Sequence, residues 1–305
     1  MFNEDRSVTE KEILFILGVG RSGTSMLARV LSLCGGALPQ SLKDANAANP
    51  SGYWEPTEAL KLNDAFLFRH GATYFDPTLR LQGEVTFPPA ERAAFVGQIR
   101  DFLRHCPQVP RLIIKEPRIV ALFEFWLQAA REEGIQVKVI VPIRHPQEVV
   151  ASLSAWVKSP PQLWSALWLK YNLLSEHDSR DLPRVFVEYS SLLSDWRREV
   201  ARIGHALAVD LSCTDGAAID AFLSRDLHRQ RDSGPVVEPF GYPWLAETYA
   251  VLTEAARDQP VESVVLDRIL RMYRACEHSF RVALDDSRSK LPVAPPDDGI
   301  MSWKA

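Results

Sequence analysis

The apolar run Ile13-Leu14-Phe15-Ile16-Leu17 leads directly into Gly18-Val19-Gly20-Arg21-Ser22-Gly23-Thr24-Ser25. A buried strand that enters a glycine-rich turn and leaves as a helix is compatible with few folds. Its successive backbone N–H groups and the positive end of the helix converge on one point, which makes an anion site. The phosphate loop of nucleotide hydrolases reads G-x-x-x-x-G-K-[ST], with a lysine that reaches the β/γ-phosphates. Here Thr24 follows Gly23 directly, and the cation, Arg21, lies inside the loop. The cradle is kept without the lysine that handles a triphosphate. The expected ligand is a phosphate-bearing nucleotide other than ATP.

Along the rest of the chain, short β-rich runs alternate with longer helical patterns, which reads as βαβ units around a parallel sheet. Strands are expected at 13–17, 111–115, 137–143 and 184–188. They are rich in Val, Ile, Leu and Phe, as strands covered on both faces should be. Helices are expected at 24–34, ending at Gly35-Gly36, at 119–133, ending at Gly134, and at 147–157, after Pro146. The second half reads as mostly helical, over 160–177, 192–207, 217–223, 245–256 and 261–282. From 285 onward the chain turns Ser-, Asp- and Pro-rich, so one α/β domain over 1–284 and a loosely ordered tail over 285–305 are expected.

At 305 residues and 46% hydrophobic, the chain can bury a large core. Its net charge of −4, with both signs interspersed, gives no sequence-independent grip on nucleic acid or an acidic membrane surface. Four cysteines lie far apart without metal spacing, three of them in apolar or helical surroundings, and are expected to be buried, reduced thiols. The apolar run after the polar N-terminus is far short of the roughly 20 residues a spanning helix needs and lacks a signal-peptide cleavage pattern. A cytoplasmic protein without a membrane span is the expectation. The seven histidines form no cluster with metal-ligand spacing, so no metal is implied.

Three blocks resemble the sulfotransferases that use 3′-phosphoadenosine-5′-phosphosulfate (PAPS), bacterial-type members included. G-V-G-R-S-G-T-S-M-L-A-R-V-L at 18–31 is similar to the family's 5′-phosphosulfate loop. V-P-I-R-H-P-Q-E-V-V-A-S at 141–152 is similar to its 3′-phosphate block, where an arginine closes a strand and a serine follows eight positions later. N-P-S-G-Y-W-E at 49–55 resembles the segment after the first helix. I-I-K-E-P-R at 113–118 and V-E-Y-S-S-L-L at 187–193 are weaker echoes, with Ser190 and Ser191 departing from the family's usual Tyr-Glu-Asp. The resemblance implies a three-layer αβα, P-loop NTPase-like fold with a central parallel sheet and helical elaborations in the second half.

It also implies roles. PAPS would be the co-substrate and adenosine 3′,5′-bisphosphate (PAP) the product, with no metal. Gly20, Arg21, Ser22, Gly23, Thr24 and Ser25 would hold the phosphosulfate, Arg21 stabilising charge on the bridging oxygen as the S–O bond breaks. Arg144 and Ser152 would hold the 3′-phosphate, and Tyr189 would lie near the base. Glu55 is the candidate general base, with Glu58 in reserve; alternatively it caps the next helix or pairs with a cation. Lys115 resembles the family's lysine near the reacting group, and Arg118 either joins it or pairs with Glu116. Pro117 stands where other members carry a catalytic histidine, and Met26 where many carry a stacking tryptophan. The run 224–231 either supplies cations to the 3′-phosphate or is a solvated face. Trp156, Trp164 and Trp168 are expected in the core, with stacking in a substrate pocket as the alternative.

The leading expectation is metal-independent transfer of a sulfuryl group to a hydroxyl or amine on a small molecule or glycan. A P-loop nucleotide kinase or ATPase is the second reading. A non-catalytic nucleotide-binding protein of the same fold is the third. Specificity for the acceptor is expected in 61–87 and the helical second half, and the oligomeric state is open.

Overall fold

A computed structural model describes residues 11–46, 49, 51–223, 234–277 and 287. Strands β1 (Glu12–Ile16), β2 (Arg111–Ile114), β3 (Gln136–Ile143) and β4 (Arg184–Glu188) form one parallel sheet in the order β2-β1-β3-β4. The helices of the first half are α1 (Thr24–Ser32), α2 (Thr57–Arg69), α3 (Arg80–Gly83), α4 (Pro89–His105), α5 (Phe123–Glu132) and α6 (Pro146–Trp156). Those of the second half are α7 (Pro161–His177), α8 (Tyr189–Ser194), α9 (Trp196–Leu207), α10 (Gly216–Phe222), α11 (Trp244–Ala255) and α12 (Ser263–Ala275).

Successive strand residues point to opposite faces, and both faces are apolar here. Ile13 and Phe15 enter a core shared with α2, α4–α7, α11 and α12. Leu14 and Ile16 enter a second core under α1, α8, α9 and α10. The result is the three-layer αβα arrangement with a central parallel sheet, its helical additions concentrated in the second half.

Two expected helices divide. The pattern over 119–133 begins as a 3-10 turn, Pro117–Leu122, and becomes α-helical only at Phe123. The pattern over 192–207 breaks at Asp195, whose carboxylate accepts the Arg198 N–H at 3.1 Å and caps α9. Helices α2 and α4 were not among the expected elements. The four cysteines are free, but only Cys34 and Cys106 are buried; Cys213 and Cys276 are exposed, which corrects the expectation of buried thiols. Among the described residues no helix is long and apolar enough to cross a membrane. The cationic run 224–231 and, apart from Ser287, the span 285–305 lie outside the described residues.

Candidate active site

The C-terminal ends of parallel strands share one sheet edge, where open α/β sheets bind ligands. β1 delivers the glycine loop there, β2 delivers Lys115, β3 delivers Arg144 and β4 delivers Tyr189. A cleft at that edge is lined by all of Gly20, Arg21, Gly23, Thr24, Ser25, Glu55, Lys115, Arg144, Ser152 and Tyr189. Of the residues expected in the phosphosulfate loop, Ser22 is not in the wall: it is buried beneath it, its Oγ without a hydrogen-bond partner among the described residues.

The loop is held open by strain and by close contacts. Arg21 adopts φ 72°, a left-handed conformation that costs a non-glycine residue roughly 1–3 kcal/mol and persists where surrounding structure imposes it. Gly23 adopts φ 91°, and a Cβ there would lie 2.5 Å from the Tyr189 ring. The Gly20 N–H donates to the Tyr74 hydroxyl at 3.0 Å. The Tyr189 ring thus limits the path the loop can take at Gly23.

Arg144 is bonded to the loop. Its Nη1 donates to the Arg21 carbonyl at 2.9 Å, its Nε pairs with Glu148 at 2.6 Å, and its guanidinium stacks 4.2 Å over Tyr189. Arg21 in turn donates from Nε to Ser152 Oγ at 2.9 Å. Burial lowers the Arg21 pKa, and Arg144 adds to that, yet a guanidinium remains a cation at neutral pH. Two fixed positive charges thus face one cleft, and an anion entering it would relieve their mutual repulsion.

Across the cleft stands Glu55, the residue before Pro56 at the head of α2. Lys115 Nζ donates to Glu55 Oε1 at 2.6 Å, to Ser25 Oγ at 3.2 Å and to the Tyr53 carbonyl at 3.2 Å. An ammonium has three hydrogens, and these three bonds use them. Lys115 therefore acts on the cleft through its charge. Ser25 is also engaged, donating to the Tyr53 carbonyl at 3.0 Å. Lys43 lies 3.7 Å from Glu55 Oε2 and 4.1 Å over the Tyr53 ring. Burial pushes the Glu55 pKa up, but Lys115 and Lys43 overcome it and hold the carboxyl below its ordinary value. Both sequence readings of Glu55 meet here: it faces the cleft and it pairs with cations. Glu58 is exposed in the first turn of α2 and outside the cleft wall.

Arg118 lines the cleft while pairing with Glu116 at 2.6 Å and with Asp64. Glu116 is fully buried and also accepts from Asn63 Nδ2 at 2.6 Å. Tyr74 and Phe75, from the region 61–87, and Phe222, from the helical second half, also line the cleft, as does Lys43, which carries no sequence signal. Trp156, expected in the core, lines it too, one turn beyond Ser152 on α6; that i,i+4 spacing was the available clue. Trp164 and Trp168 are core residues as expected, with Trp168 Nε1 donating to the Arg144 carbonyl at 3.0 Å. A second cavity shares Arg144 and Tyr189 with the cleft and is walled by His145, Glu188, Ser190 and Tyr249. Among the described residues no group of three His, Cys, Asp or Glu side chains is arranged to hold a metal ion.

No family model matches the chain, and no curated protein matches it in sequence. Solved structures similar to it are sulfotransferases. The sulfotransferase domain of the Synechococcus olefin synthase is 19% identical, with 87% of this chain and 94% of that one covered and a TM-score of 0.43. The sulfotransferase domain from the curacin biosynthetic pathway is 15% identical, with 80% and 98% covered and a TM-score of 0.43. A mouse sulfotransferase complexed with PAP is 14% identical, with 92% and 89% covered and a TM-score of 0.35.

Proposed function

We propose that this protein is a sulfotransferase that moves a sulfuryl group from PAPS to a hydroxyl or amine on a small molecule or glycan. The observation that carries the reading is the junction of two anion sites. Arg144, at the end of β3, bonds the carbonyl of Arg21 in the glycine loop, and Arg21 bonds Ser152. A ligand with phosphate at both its 5′ and 3′ positions suits that pairing. The residues fit it: Ser22 carries a buried, unpartnered hydroxyl under the loop, and Gly23 lets the loop pack directly against the Tyr189 ring on which Arg144 rests. The cavity behind Arg144 and Tyr189 offers the purine a wall of Tyr249 and His145, whose buried Nδ1 has no partner among the described residues.

In this reading, loop amides and Thr24 hold the 5′ group while Arg144 and Ser152 hold the 3′-phosphate. Arg21 offsets the charge that grows on the bridging oxygen as the S–O bond breaks. Glu55 accepts the proton of the attacking acceptor; the paired lysines keep it ionised, which is the form able to accept. Calorimetry with PAP, ADP and AMP tests the assignment. PAP should bind at least about tenfold tighter than ADP, whose second phosphate extends the 5′ end and leaves the 3′ site empty, the scale of charge-assisted hydrogen bonds to one phosphate. Equal affinities would remove the 3′-phosphate site and the function with it.

A further inference from the structure

Tyr74 lines the cleft with its hydroxyl seated on the glycine loop, where it accepts the Gly20 N–H at 3.0 Å. A phenol oxygen that accepts one hydrogen bond still has one hydrogen to give. Among the described residues nothing accepts that hydrogen. Burial holds the phenol well above its ordinary pKa, against the pull of the Gly20 N–H and the nearby Arg118, so it stays protonated at neutral pH. Tyr74 is a donor and not a base.

The segment that carries it is fixed from behind. Tyr171 Oη donates to the Tyr74 carbonyl at 3.0 Å, Lys170 Nζ to the Asp76 carbonyl at 2.8 Å, and Tyr273 Oη to the Pro77 carbonyl at 2.5 Å. Glu277 accepts the Leu79 N–H at 2.7 Å. Lys170 is completely buried, at a desolvation cost that lowers its pKa, and the backbone of 76 is what it holds. A hydroxyl fixed this firmly, with an uncommitted hydrogen, resembles a preorganised donor.

We propose that Tyr74 is a further catalytic residue, donating its hydroxyl hydrogen to a non-bridging oxygen of the sulfuryl group during transfer. The assignment rests on the sulfuryl-donor reading above. The acceptor oxygen bonds to sulfur, and the S–O bond to the phosphate breaks with its electron pair left on the phosphate oxygen. The acceptor's proton passes to Glu55, and Tyr74 keeps its own proton throughout. Its contact strengthens only as the sulfuryl oxygens move off the donor, which is what separates rate from binding.

The test uses inorganic vanadate with saturating PAP, since five-coordinate vanadate mimics sulfur in flight and needs no identified acceptor. In Tyr74→Phe, PAP affinity should change less than about twofold while vanadate affinity falls about tenfold or more, the scale of one hydrogen bond to a charged group. A crystal structure of the wild-type ternary complex should place Tyr74 Oη in hydrogen-bond contact with a vanadate oxygen; this reading stands whether or not the variant folds. Unchanged vanadate affinity in the variant, or a hydroxyl out of contact in the wild type, overturns the assignment of Tyr74 alone. PAP affinity falling in step with vanadate affinity makes Tyr74 a buttress of the loop and also overturns it. No PAP binding by the wild type overturns the sulfuryl-donor reading beneath it.

Discussion

On the anion side of the cleft, the facing groups come from the ends of β1, β3 and β4 and from the first two turns of the helices that follow them. On the opposite side they come from loops and helix ends held by partners far along the chain: Gly20 to Tyr74 across 54 positions, Lys115 to Glu55 across 60, Tyr273 to Pro77 across 196. On the first side each strand that turns into a helix aims N–H groups at the sheet edge by itself, and long-range contacts, Arg144 to Arg21 across 123 positions and Arg21 to Ser152 across 131, only join the two turns. The second exists only once the tertiary structure has closed. Binding of the nucleotide should therefore depend on a few residues near their own elements, and chemistry on a network.

The largest expected effect is at Glu55. In Glu55→Gln, turnover of PAPS, read as PAP released in the presence of an alcohol, phenol and amine panel, should fall by at least about a hundredfold. PAP affinity should barely move. Because the Glu55 pKa is depressed, its ion pairs with Lys115 and Lys43 stabilise the fold above the ordinary carboxylate range, and that stability is lost as pH falls through the folded-state value. Wild-type turnover should accordingly stay level from neutrality down to that range and drop below it. An unaltered rate in the variant would leave the acceptor side without its base. Arg144→Ala comes next: PAP affinity should fall roughly tenfold to a hundredfold by calorimetry while ADP affinity holds. A parallel loss for ADP would mean that Arg144 serves the loop as a whole. The smallest effect is expected from Tyr273→Phe, which removes the single hydroxyl hydrogen that the Pro77 and Ala166 carbonyls share, at a cost of about 1–3 kcal/mol in unfolding free energy by denaturant titration. If the two sides are independent, it should lower turnover more than PAP affinity; an equal loss of both would merge them.

The same division decides what could be read beforehand. The strand at 13–17 announces itself by a continuous apolar run, that at 184–188 by its β-rich centre Val185-Phe186-Val187, and the glycine turn by composition. Arg144 and Ser152 came from a family resemblance, and the geometry places them against the loop. Helix α4 is legible in the sequence, since Phe95, Ile99, Phe102 and Leu103 recur at helical spacing between charged residues. Tyr74, Lys43 and Phe75 offered nothing local, because a lone aromatic or lysine in a loop gains meaning only from what packs against it. Lys115 was placed in the site, but that its ammonium would already be saturated depends on Tyr53 and Ser25 arriving from two other elements.

The contact between Gly23 and Tyr189 reaches beyond this one chain. Because the aromatic ring occupies the volume a first side-chain carbon would need, position 23 is not free to gain one while the ring remains. A descendant that acquired even an alanine at 23 would have to surrender the ring at 189, and with it the platform on which Arg144 rests. Drift at 23 is therefore conditional on drift at 189, and loss of the glycine is a mark by which a lineage that had abandoned the site could be told from one that kept it.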